Sequence, residues 1–315
     1  MNIMLAPMEG VIDHHMRAIL TGIGGYQRCV TEFIRVVDQL LPPHVFHRLC
    51  PELLTGGKTA AGVPVVVQLL GGIPDVTAAN ARRVAELGAP GVDINFGCPS
   101  KLVNRKAGGA VLLKEPRRVY DITHAVRQAV PNNIPVSGKI RLGYDDTMQA
   151  LDNARAVADA GASFIVVHAR TRADGYKAPA RWECLAHINE ALNIPVIANG
   201  DINSLQDYQR CLEITGCHDV MVGRGAVARP DLARQIQQNA TPLLWCEICK
   251  LLGDMYIAMK TQPGSKEKGI LGRIKQWLVL LKKTYPEARA GFECVRKFRR
   301  LEALEAWLKA SEKSQ

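Results

Sequence analysis

The sequence lacks any uncharged apolar stretch of the roughly twenty residues that a membrane-spanning helix needs. One of the longest apolar runs is Val63–Pro74, which is shorter than a membrane span and is interrupted by the polar Gln68. The start of the chain has no basic region ahead of an apolar segment and reaches an acid at Glu9, unlike a secretory signal. We therefore expect no membrane span and no signal peptide, and we expect a cytoplasmic protein.

The cysteines lack the pattern of a disulfide framework or a complete metal site. There are nine of them, an odd number, scattered along the chain. Cys246 and Cys249 have the CxxC spacing of zinc ligands, but no second CxxC and no HxxxH completes a set of four. We interpret the two as a buried helical pair and expect no metal. The sequence also has no solenoid repeat and no low-complexity tract, and its 47% apolar and 22% charged residues are typical of a globular protein.

Positive charge is present in excess and is unevenly distributed. The chain has 40 Lys and Arg against 30 Asp and Glu, a net charge of +10. From Leu243 onward there are 15 basic and 8 acidic residues, so most of the excess lies in the last quarter of the chain. Such a segment favours a polyanionic partner, although a solvated basic surface is the alternative.

Short apolar runs alternate with segments of helical period over about the first 240 residues. Because the runs are continuously apolar, both faces of each predicted strand are buried, as in a parallel sheet. Eight such units favour an α/β fold of the (β/α)8 TIM-barrel type over an open sheet. The predicted strands are Ile3–Ala6, Arg28–Thr31, Pro64–Leu70, Val92–Asn95, Pro135–Ile140, Phe164–His168, Pro195–Ala198 and Asp219–Val222.

The pattern changes after the eighth unit. Thr241-Pro242 breaks the chain, and the remainder has helical period only. The predicted helices there are Leu244–Lys260, Lys275–Lys283 and Phe292–Ala310. The sequence therefore predicts a catalytic barrel over residues 1–241, followed by a small all-helical C-terminal domain over 242–315.

Nearly every predicted strand ends in a polar residue. In a barrel the carboxyl ends of the strands and the loops after them form the active site, so these residues are expected to meet. They are Pro7-Met8-Glu9, Gln68, Asn95 to Lys101, Lys139 to Arg141, His168 to Arg170, Asn199-Gly200-Asp201 and Gly223-Arg224-Gly225.

Several of these segments resemble the tRNA-dihydrouridine synthases, flavin enzymes that reduce a uracil base in transfer RNA. The most specific stretches are L-A-P-M-E-G-V at the start and D-I-N-F-G-C-P-S-K after the fourth predicted strand. The resemblance continues through K-I-R-L-G, V-V-H-A-R-T, I-P-V-I-A-N-G-D-I and V-M-V-G-R-G-A, and so covers the whole barrel. T-E-F-I-R-V-V-D and R-I-K-Q-W-L further resemble the C subfamily, which modifies uridine 16 in the D-loop.

The resemblance implies a bound FMN. Lys139 would place a cation beside the flavin and stabilise its reduced form, and Gln68 would hydrogen-bond the polar edge. His168 would contact the flavin or its phosphate, although a structural histidine is the alternative. The loop after the eighth predicted strand can hold one phosphate on its backbone N–H groups. The implied flavin contacts are Pro7, Met8, Glu9, Gln68, Lys139, His168, Asn199, Gly200, Asp201, Gly223 and Arg224.

Cys98 is the candidate catalytic residue. Reducing the C5=C6 bond of uracil requires a hydride at C6 and a proton at C5. A thiol of ordinary pKa, about 8.5, is largely protonated at neutral pH and can act as the general acid. Asn95 carries a donor and an acceptor on one amide and can read the uracil edge. NADPH, or NADH in its place, is the expected transient reductant.

A uridine inside folded RNA must leave its stack to enter a barrel, so the enzyme must grip the rest of the tRNA. The basic C-terminal domain supplies such a surface. In the resemblance Arg35, Arg273, Lys275 and Arg296 orient the tRNA, and the Tyr176 ring contacts nucleic acid. Arg141 is expected to meet RNA, but the sequence leaves open whether Arg141, Arg170 and Tyr176 touch flavin, base or backbone. We expect a monomer that binds the D-loop of tRNA.

Gly223-x-Gly225-x-x-Ala228 also matches a Rossmann-like pattern, but it falls in the eighth unit rather than the first, so we interpret it as the phosphate loop.

Two alternative functions stay open at this point. The first is a flavin barrel that reduces a free pyrimidine, which would not need the basic C-terminal segment. The second is a non-catalytic RNA-binding barrel, which would need neither Cys98 nor Lys139.

Overall fold

The computed structural model describes residues 2–312, and its first feature is a closed barrel of parallel strands. Each strand pairs with its neighbours in parallel, and β1 closes the ring by pairing with both β2 and β9. The strands are β1 (Ile3–Leu5), β2 (Arg28–Val30), β3 (Ile34–Arg35), β4 (Val65–Leu70), β5 (Val92–Asn95), β6 (Val136–Arg141), β7 (Phe164–His168), β8 (Val196–Asn199) and β9 (Asp219–Val222).

The nine segments occupy eight barrel positions, because β2 and β3 share one. Cys29 of β2 pairs with Val65 at the start of β4, and Ile34 of β3 pairs with Leu69 near its end. Between them the Thr31 side chain replaces a backbone acceptor: its Oγ1 accepts a hydrogen bond from the N–H of Gln68, 3.0 Å away. The predicted (β/α)8 barrel is confirmed, with a second strand in two segments that the sequence pattern did not show.

The helices that cover the barrel strands alternate with them along the chain. Proline at the first turn of α2, α3 and α5 supplies a residue that needs no N–H partner there. The helices in this part of the chain are α1 (His14–Ile23), α2 (Pro43–Leu49), α3 (Pro74–Glu86), α4 (Lys101–Asn104), α5 (Pro116–Ala129), α6 (Ala150–Asp159), α7 (Trp182–Ala191) and α8 (Leu205–Thr215). Short 3-10 helices lie at Pro51–Thr55 and Gly109–Lys114.

After β9 the described chain is helical. The helices are α9 (Arg224–Ala228), α10 (Leu232–Gln238), α11 (Trp245–Thr261), α12 (Glu267–Leu281), α13 (Glu287–Val295) and α14 (Leu301–Ser311). The prediction of one helix over 292–310 was wrong, because the chain turns between α13 and α14. The Phe298 carbonyl in that turn accepts a hydrogen bond from Nζ of Lys275 at 2.9 Å, and the N–H of Leu301 donates to Glu267 at 2.8 Å.

The barrel interior is closed by apolar side chains from alternating strand positions. Every member of this cluster is at most 6% exposed: Met4, Ala6, Val30, Val66, Phe164, Val166, Ile197 and Met221. Because these residues fill the interior, the polar residues that follow them are left at the carboxyl ends of the strands.

The described chain divides into two compact units. The first comprises residues 2–14 and 26–223, and the second comprises residues 15–25 and 224–312. The functional division after residue 241 stays a prediction, and its outer ends, residue 1 and residues 313–315, lie outside the described residues. Over residues 2–312 no helix has the length and apolar character to cross a membrane.

Candidate active site

The ladder register brings the predicted polar residues of the first unit to one end of the barrel. Asn95 on β5 lies opposite Lys139 on β6. Arg141 lies opposite His168 on β7, and His168 lies opposite Asn199 on β8. Four neighbouring strands therefore present an amide, two cations, an imidazole and a second amide at their carboxyl ends.

Lys139 and Asn199 form a directly bonded pair within this group. Nζ of Lys139 donates to Oδ1 of Asn199 at 3.0 Å, and Nδ2 of Asn199 donates to the carbonyl of Met221 at 2.8 Å. Burial lowers the pKa of Lys139 to about 8, and the nearby Arg141 charge acts in the same direction. An ammonium group has three donors, so Lys139 can serve Asn199 and an anionic or carbonyl partner together.

Cys98 lies at the start of a loop that is pinned by side-chain hydrogen bonds. The N–H groups of Gly97 and Cys98 both donate to Oδ1 of Asn95 at 2.9 Å. Nδ2 of Asn104 donates to the carbonyl of Cys98 at 3.0 Å, and Oδ1 of Asn104 accepts from the N–H of Val111 at 2.6 Å. The loop over 98–110 therefore has an ordered framework that includes α4.

The Cys98 side chain is 8% exposed. Burial raises the pKa of its thiol, the negative charge of Glu9 adds to the rise, and Arg141 and Arg35 oppose it. A raised pKa keeps the thiol protonated at neutral pH. The site can therefore hold a proton on sulfur, as a general acid requires.

Beneath Asn95 lies a buried cluster centred on Asp93, a residue that the sequence analysis did not single out. Nδ2 of Asn95 donates to Oε1 of Gln68 at 2.7 Å, and Nε2 of Gln68 donates to Asp93 at 2.7 Å. Oγ of Ser137 donates to the other oxygen of Asp93 at 2.5 Å. Burial raises the pKa of Asp93 to about 6, against the lowering effects of these hydrogen bonds and of Lys139. The available sequence signal was a carboxylate inside an otherwise apolar strand.

Gln68, predicted to bond the flavin, is fully buried and has its amide bonded on both sides. Arg141, predicted to meet RNA, is 3% exposed. Its guanidinium donates to the carbonyls of Gly97, Thr171 and Gly175 at 2.8 to 3.0 Å and lies over the Tyr176 ring. Arg141 thus ties together the loops after β5 and β7, while the Tyr176 side chain beside it is 58% exposed.

His168 is oriented by Arg170, whose side chain is fully buried. Nη1 of Arg170 lies 3.2 Å from Nε2 of His168. Because a guanidinium has no acceptor, Nε2 must accept this hydrogen bond and the proton of a neutral ring must be on Nδ1. Arg170 also pairs with Asp201, whose carboxylate accepts from the N–H of Ala180 at 2.8 Å. Burial at this depth leaves Arg170 no surface for contact with RNA.

The remaining predicted flavin contacts follow β1, β8 and β9. Pro7 and Met8 are half-buried, Glu9 is exposed and Gly200 is buried. A Cβ on Gly223 would lie 3.1 Å from Sδ of Met8 and 3.3 Å from Cβ of Ala6, so the loop after β9 packs closely on the loop after β1. Gly223 ends the first unit, and Arg224 begins the second.

The predicted tRNA contacts are divided between the units. Arg35, at the end of β3, and Tyr176 belong to the first unit, and the other three belong to the second. Arg273 is 8% exposed and donates a hydrogen bond to Gln276 at 2.5 Å. Lys275 donates to the carbonyl of Phe298, in the turn before α14. Arg296 is exposed and forms an ion pair with Glu293 at 3.0 Å.

Comparison with known proteins places these features in a family. The model of the family described as dihydrouridine synthase matches residues 4–311. A tRNA-dihydrouridine(16) synthase of Pseudomonas syringae is 51% identical over 302 residues, which are 94% of this chain and 95% of that protein. The enzyme of the same name from Shewanella oneidensis is 50% identical over 96% of each chain, and that from Haemophilus influenzae is 50% identical over 94% and 95%.

Solved structures share the fold at low identity. Histamine dehydrogenase from Rhizobium matches with a TM-score of 0.58 and 14% identity, over 81% of this chain and 48% of that one. Morphinone reductase matches with a TM-score of 0.52 and 12% identity, over 78% of this chain and 88% of that one. These likenesses show the fold alone, whereas the family match covers almost the entire sequence. The chain therefore belongs to the dihydrouridine synthase family.

Proposed function

We propose that this protein is an FMN-dependent tRNA-dihydrouridine synthase that reduces the C5=C6 bond of uridine 16 in the D-loop of tRNA. The observation that carries the proposal is the near-full-length identity of about one half to relatives named tRNA-dihydrouridine(16) synthase. NADPH as the reductant, the cytoplasm as the location and a monomer as the working form belong to the same proposal.

The residues at the strand ends fit a flavin mononucleotide. Lys139 and Asn199 offer a cation and an amide to a polar ring edge, and Lys139 has donors beyond the one bonded to Asn199. The missing side chain of Gly223 lets the backbone after β9 pack against Met8. Backbone N–H groups in such a loop can hold a phosphate. When bound, FMN would supply the hydride for C6 of uracil, with NADPH as the proposed source of its electrons.

The chain's own residues supply the proton and the orientation. The thiol of Cys98 gives its proton to C5, and the resulting thiolate is protonated again from solvent. Burial favours this role because the raised pKa of Cys98 keeps the proton on sulfur until C5 accepts it. Arg141 donates hydrogen bonds to three carbonyls and so holds the loop after β5, which carries the thiol, to the loop after β7.

The substrate must also be gripped outside the reacting base. The segment from Leu243 onward carries 15 of the 40 basic residues, and its run Arg296–Arg300 is exposed at each of its four cations. Cations of this kind bind phosphates and give affinity without reading sequence. Arg35 and the exposed Tyr176 ring are the proposed contacts on the first unit. Of the three proposed on the second, Arg296 is exposed, Lys275 is half-buried and Arg273 is buried.

The proposal is tested by mapping dihydrouridine, position by position, in tRNA from cells with and without this gene. Loss confined to position 16 is the expected result. Loss at another D-loop position would keep the reaction and discard the position. Unchanged tRNA in cells without a redundant synthase would contradict the proposal and favour reduction of a free pyrimidine or a non-catalytic RNA-binding role.

A further inference from the structure

A continuous chain of hydrogen bonds runs from a buried carboxylate to the backbone that carries Cys98. It consists of Asp93, the side-chain amides of Gln68 and Asn95, and the N–H groups of Gly97 and Cys98, and we call it the amide relay. Its links are 2.7 Å from Gln68 to Asp93, 2.7 Å from Asn95 to Gln68, and 2.9 Å from each N–H group to Asn95. Hydrogen bonds this short are well formed.

The two ends of the amide relay determine the direction of every link. A carboxylate only accepts hydrogen bonds, so Gln68 must turn its NH2 group toward Asp93 and its carbonyl toward Asn95. Backbone N–H groups only donate, so Asn95 must turn its carbonyl toward the Cys98 loop and its NH2 group toward Gln68. Neither amide can reverse without facing a donor with a donor. The Asp93 carboxylate and the two backbone N–H groups therefore require the same orientation of both amides, and the charge of Asp93 strengthens the link at its end of the amide relay.

Asp93 lies where its charge acts strongly. The side chain is 1% exposed on β5, and its second oxygen is bonded by Ser137 on β6. The charged group that acts on it is Lys139, two residues further along β6. Hydrogen bonds to an ionised acceptor in such surroundings are about twice as strong as neutral ones. Since burial raises the pKa of Asp93 only to about 6, the carboxylate is mostly ionised at neutral pH.

We propose that Asp93 is a positioning residue for dihydrouridine formation, which holds the Cys98 thiol in place through the oriented amides of Gln68 and Asn95. The proposal rests on the proposed function for the reaction that Cys98 serves. It assigns Asp93 no contact with the uracil and no proton transfer.

The test compares Asp93→Asn with Ser137→Ala. An asparagine at position 93 keeps the shape but offers Gln68 a neutral acceptor in place of a charged one, so the amide relay is held less strongly at this end. The alanine at position 137 removes the other partner of the same carboxylate and leaves the amide relay intact. It is the matched control for a general disturbance of the buried cluster.

Two readouts report on Cys98 without any need for tRNA. The first is the alkylation rate of Cys98 with iodoacetamide between pH 6 and 10, resolved from the other cysteines by peptide mass spectrometry. The second is hydrogen exchange of the peptide that spans residues 96–104. For Asp93→Asn we expect a several-fold change in the alkylation rate and faster exchange, with values for Ser137→Ala close to those of the unaltered protein.

Turnover on tRNA gives a third readout. Displacing a reacting group by about 1 Å can cost as much as a hundred-fold in rate, so we expect Asp93→Asn to lower kcat about ten-fold or more. The KM for tRNA should stay within about two-fold, because the residues proposed to bind the tRNA outside the reacting base are untouched. If Asp93→Asn proves too unstable to purify, Gln68→Met breaks the amide relay at its middle and should give the same pattern.

The proposal is overturned if Asp93→Asn leaves Cys98 alkylation, exchange and kcat unchanged, or if Ser137→Ala changes them equally. A double variant, Asp93→Asn with Gln68→Met, should have the same kcat and the same Cys98 alkylation rate as Gln68→Met alone. Additive effects of the two substitutions would also contradict the proposal. Failure of the proposed function is distinguishable, because it would remove turnover on tRNA while alkylation and exchange still report on the amide relay.

Discussion

At the scale of single residues, the site depends on how burial sets protonation. Burial raises the pKa of the Cys98 thiol and so keeps it protonated, whereas burial lowers the pKa of Lys139 to about 8. The thiol that can donate a proton lies in the loop after β5, and the ammonium group of Lys139 lies on the neighbouring strand β6. The composition of the motif predicted both residues, but only the packed structure shows the direction in which each pKa moves.

Replacing Cys98 with alanine removes the only proton donor assigned to C5. We expect Cys98→Ala to abolish dihydrouridine formation on tRNA while reduction of the flavin by NADPH remains nearly unchanged, because that step needs no thiol. The measurements are dihydrouridine content after incubation with tRNA and bleaching of the flavin absorbance by NADPH. Cys294→Ala, at an exposed position on α13, is the control and should leave both rates unchanged. Surviving turnover in Cys98→Ala would show that another group is the acid.

Asp93 illustrates what residue-level reasoning missed. An aspartate inside an apolar strand indicates a buried polar group, but it does not show which partner it has or on which face. Its bonds to Gln68 and Ser137 come from strands β4 and β6, which are distant in sequence. The chain of hydrogen bonds from Cys98 through Asp93 to Ser137 forms only when strands β4, β5 and β6 are paired in register.

At the scale of elements, the loop after β5 packs on the loop after β4. A Cβ on Gly72 would lie 1.9 Å from the carbonyl oxygen of Ala107, a distance that forces the backbone to move. The loop that carries Cys98 at one end therefore depends on the absence of a side chain at residue 72. Because Ala107 is remote from Gly72 in sequence, local sequence information did not show this requirement.

We expect Gly72→Ala to displace the loop over 98–110, to lower turnover on tRNA at least ten-fold and to destabilise the protein by about 1–3 kcal/mol, the usual cost of overpacking. Gly22→Ala is the matched control. Gly22 lies in helix α1, and a Cβ added to it would meet no atom within 4 Å. The control should change stability by less than about 1 kcal/mol. Thermal unfolding measures the change in stability, and the tRNA assay measures the change in turnover. Equal stability and turnover of the two variants would contradict the close contact between Gly72 and the Ala107 carbonyl.

Two element boundaries depended on tertiary contacts. The second barrel strand is split because Thr31 gives Gln68 a side-chain acceptor where a backbone acceptor was expected. The helix predicted over 292–310 is broken because Lys275 and Glu267, both from α12, bond to the turn before α14. In both cases the partner is remote in sequence, so local periodicity contained no signal for it.

At the scale of the whole molecule, the excess of basic residues from Leu243 onward leads to a prediction about tRNA binding. Cations that neutralise phosphates release counterions, so affinity falls with salt in proportion to their number. The double variant Arg296→Gln with Lys297→Gln removes two exposed cations from the second unit. We expect weaker tRNA binding and a slope of log affinity against log salt that is smaller by about 1.5, since each phosphate contributes about 0.7 to 0.9.

The measurement is tRNA binding by fluorescence anisotropy at several salt concentrations. Arg82→Gln with Arg117→Gln is the matched control, because it removes the same charge from helices α3 and α5 of the first unit. Reduction of the flavin by NADPH should be unchanged in both double variants. An identical loss of affinity in the two would show that net charge alone, and not the location of the cations, governs binding.

The sequence by itself determined the barrel, the family and the positions of the strand-end residues. These features depend on local information: apolar runs of strand length, helical periods between them, and motifs that follow each run directly. The tertiary structure decided which of those residues bond to one another, that Arg141, Arg170 and Arg273 are buried, and that Asp93 lies beneath the Cys98 loop. Burial and hydrogen-bond direction depend on neighbours from other strands, and that information is absent from any single stretch of sequence.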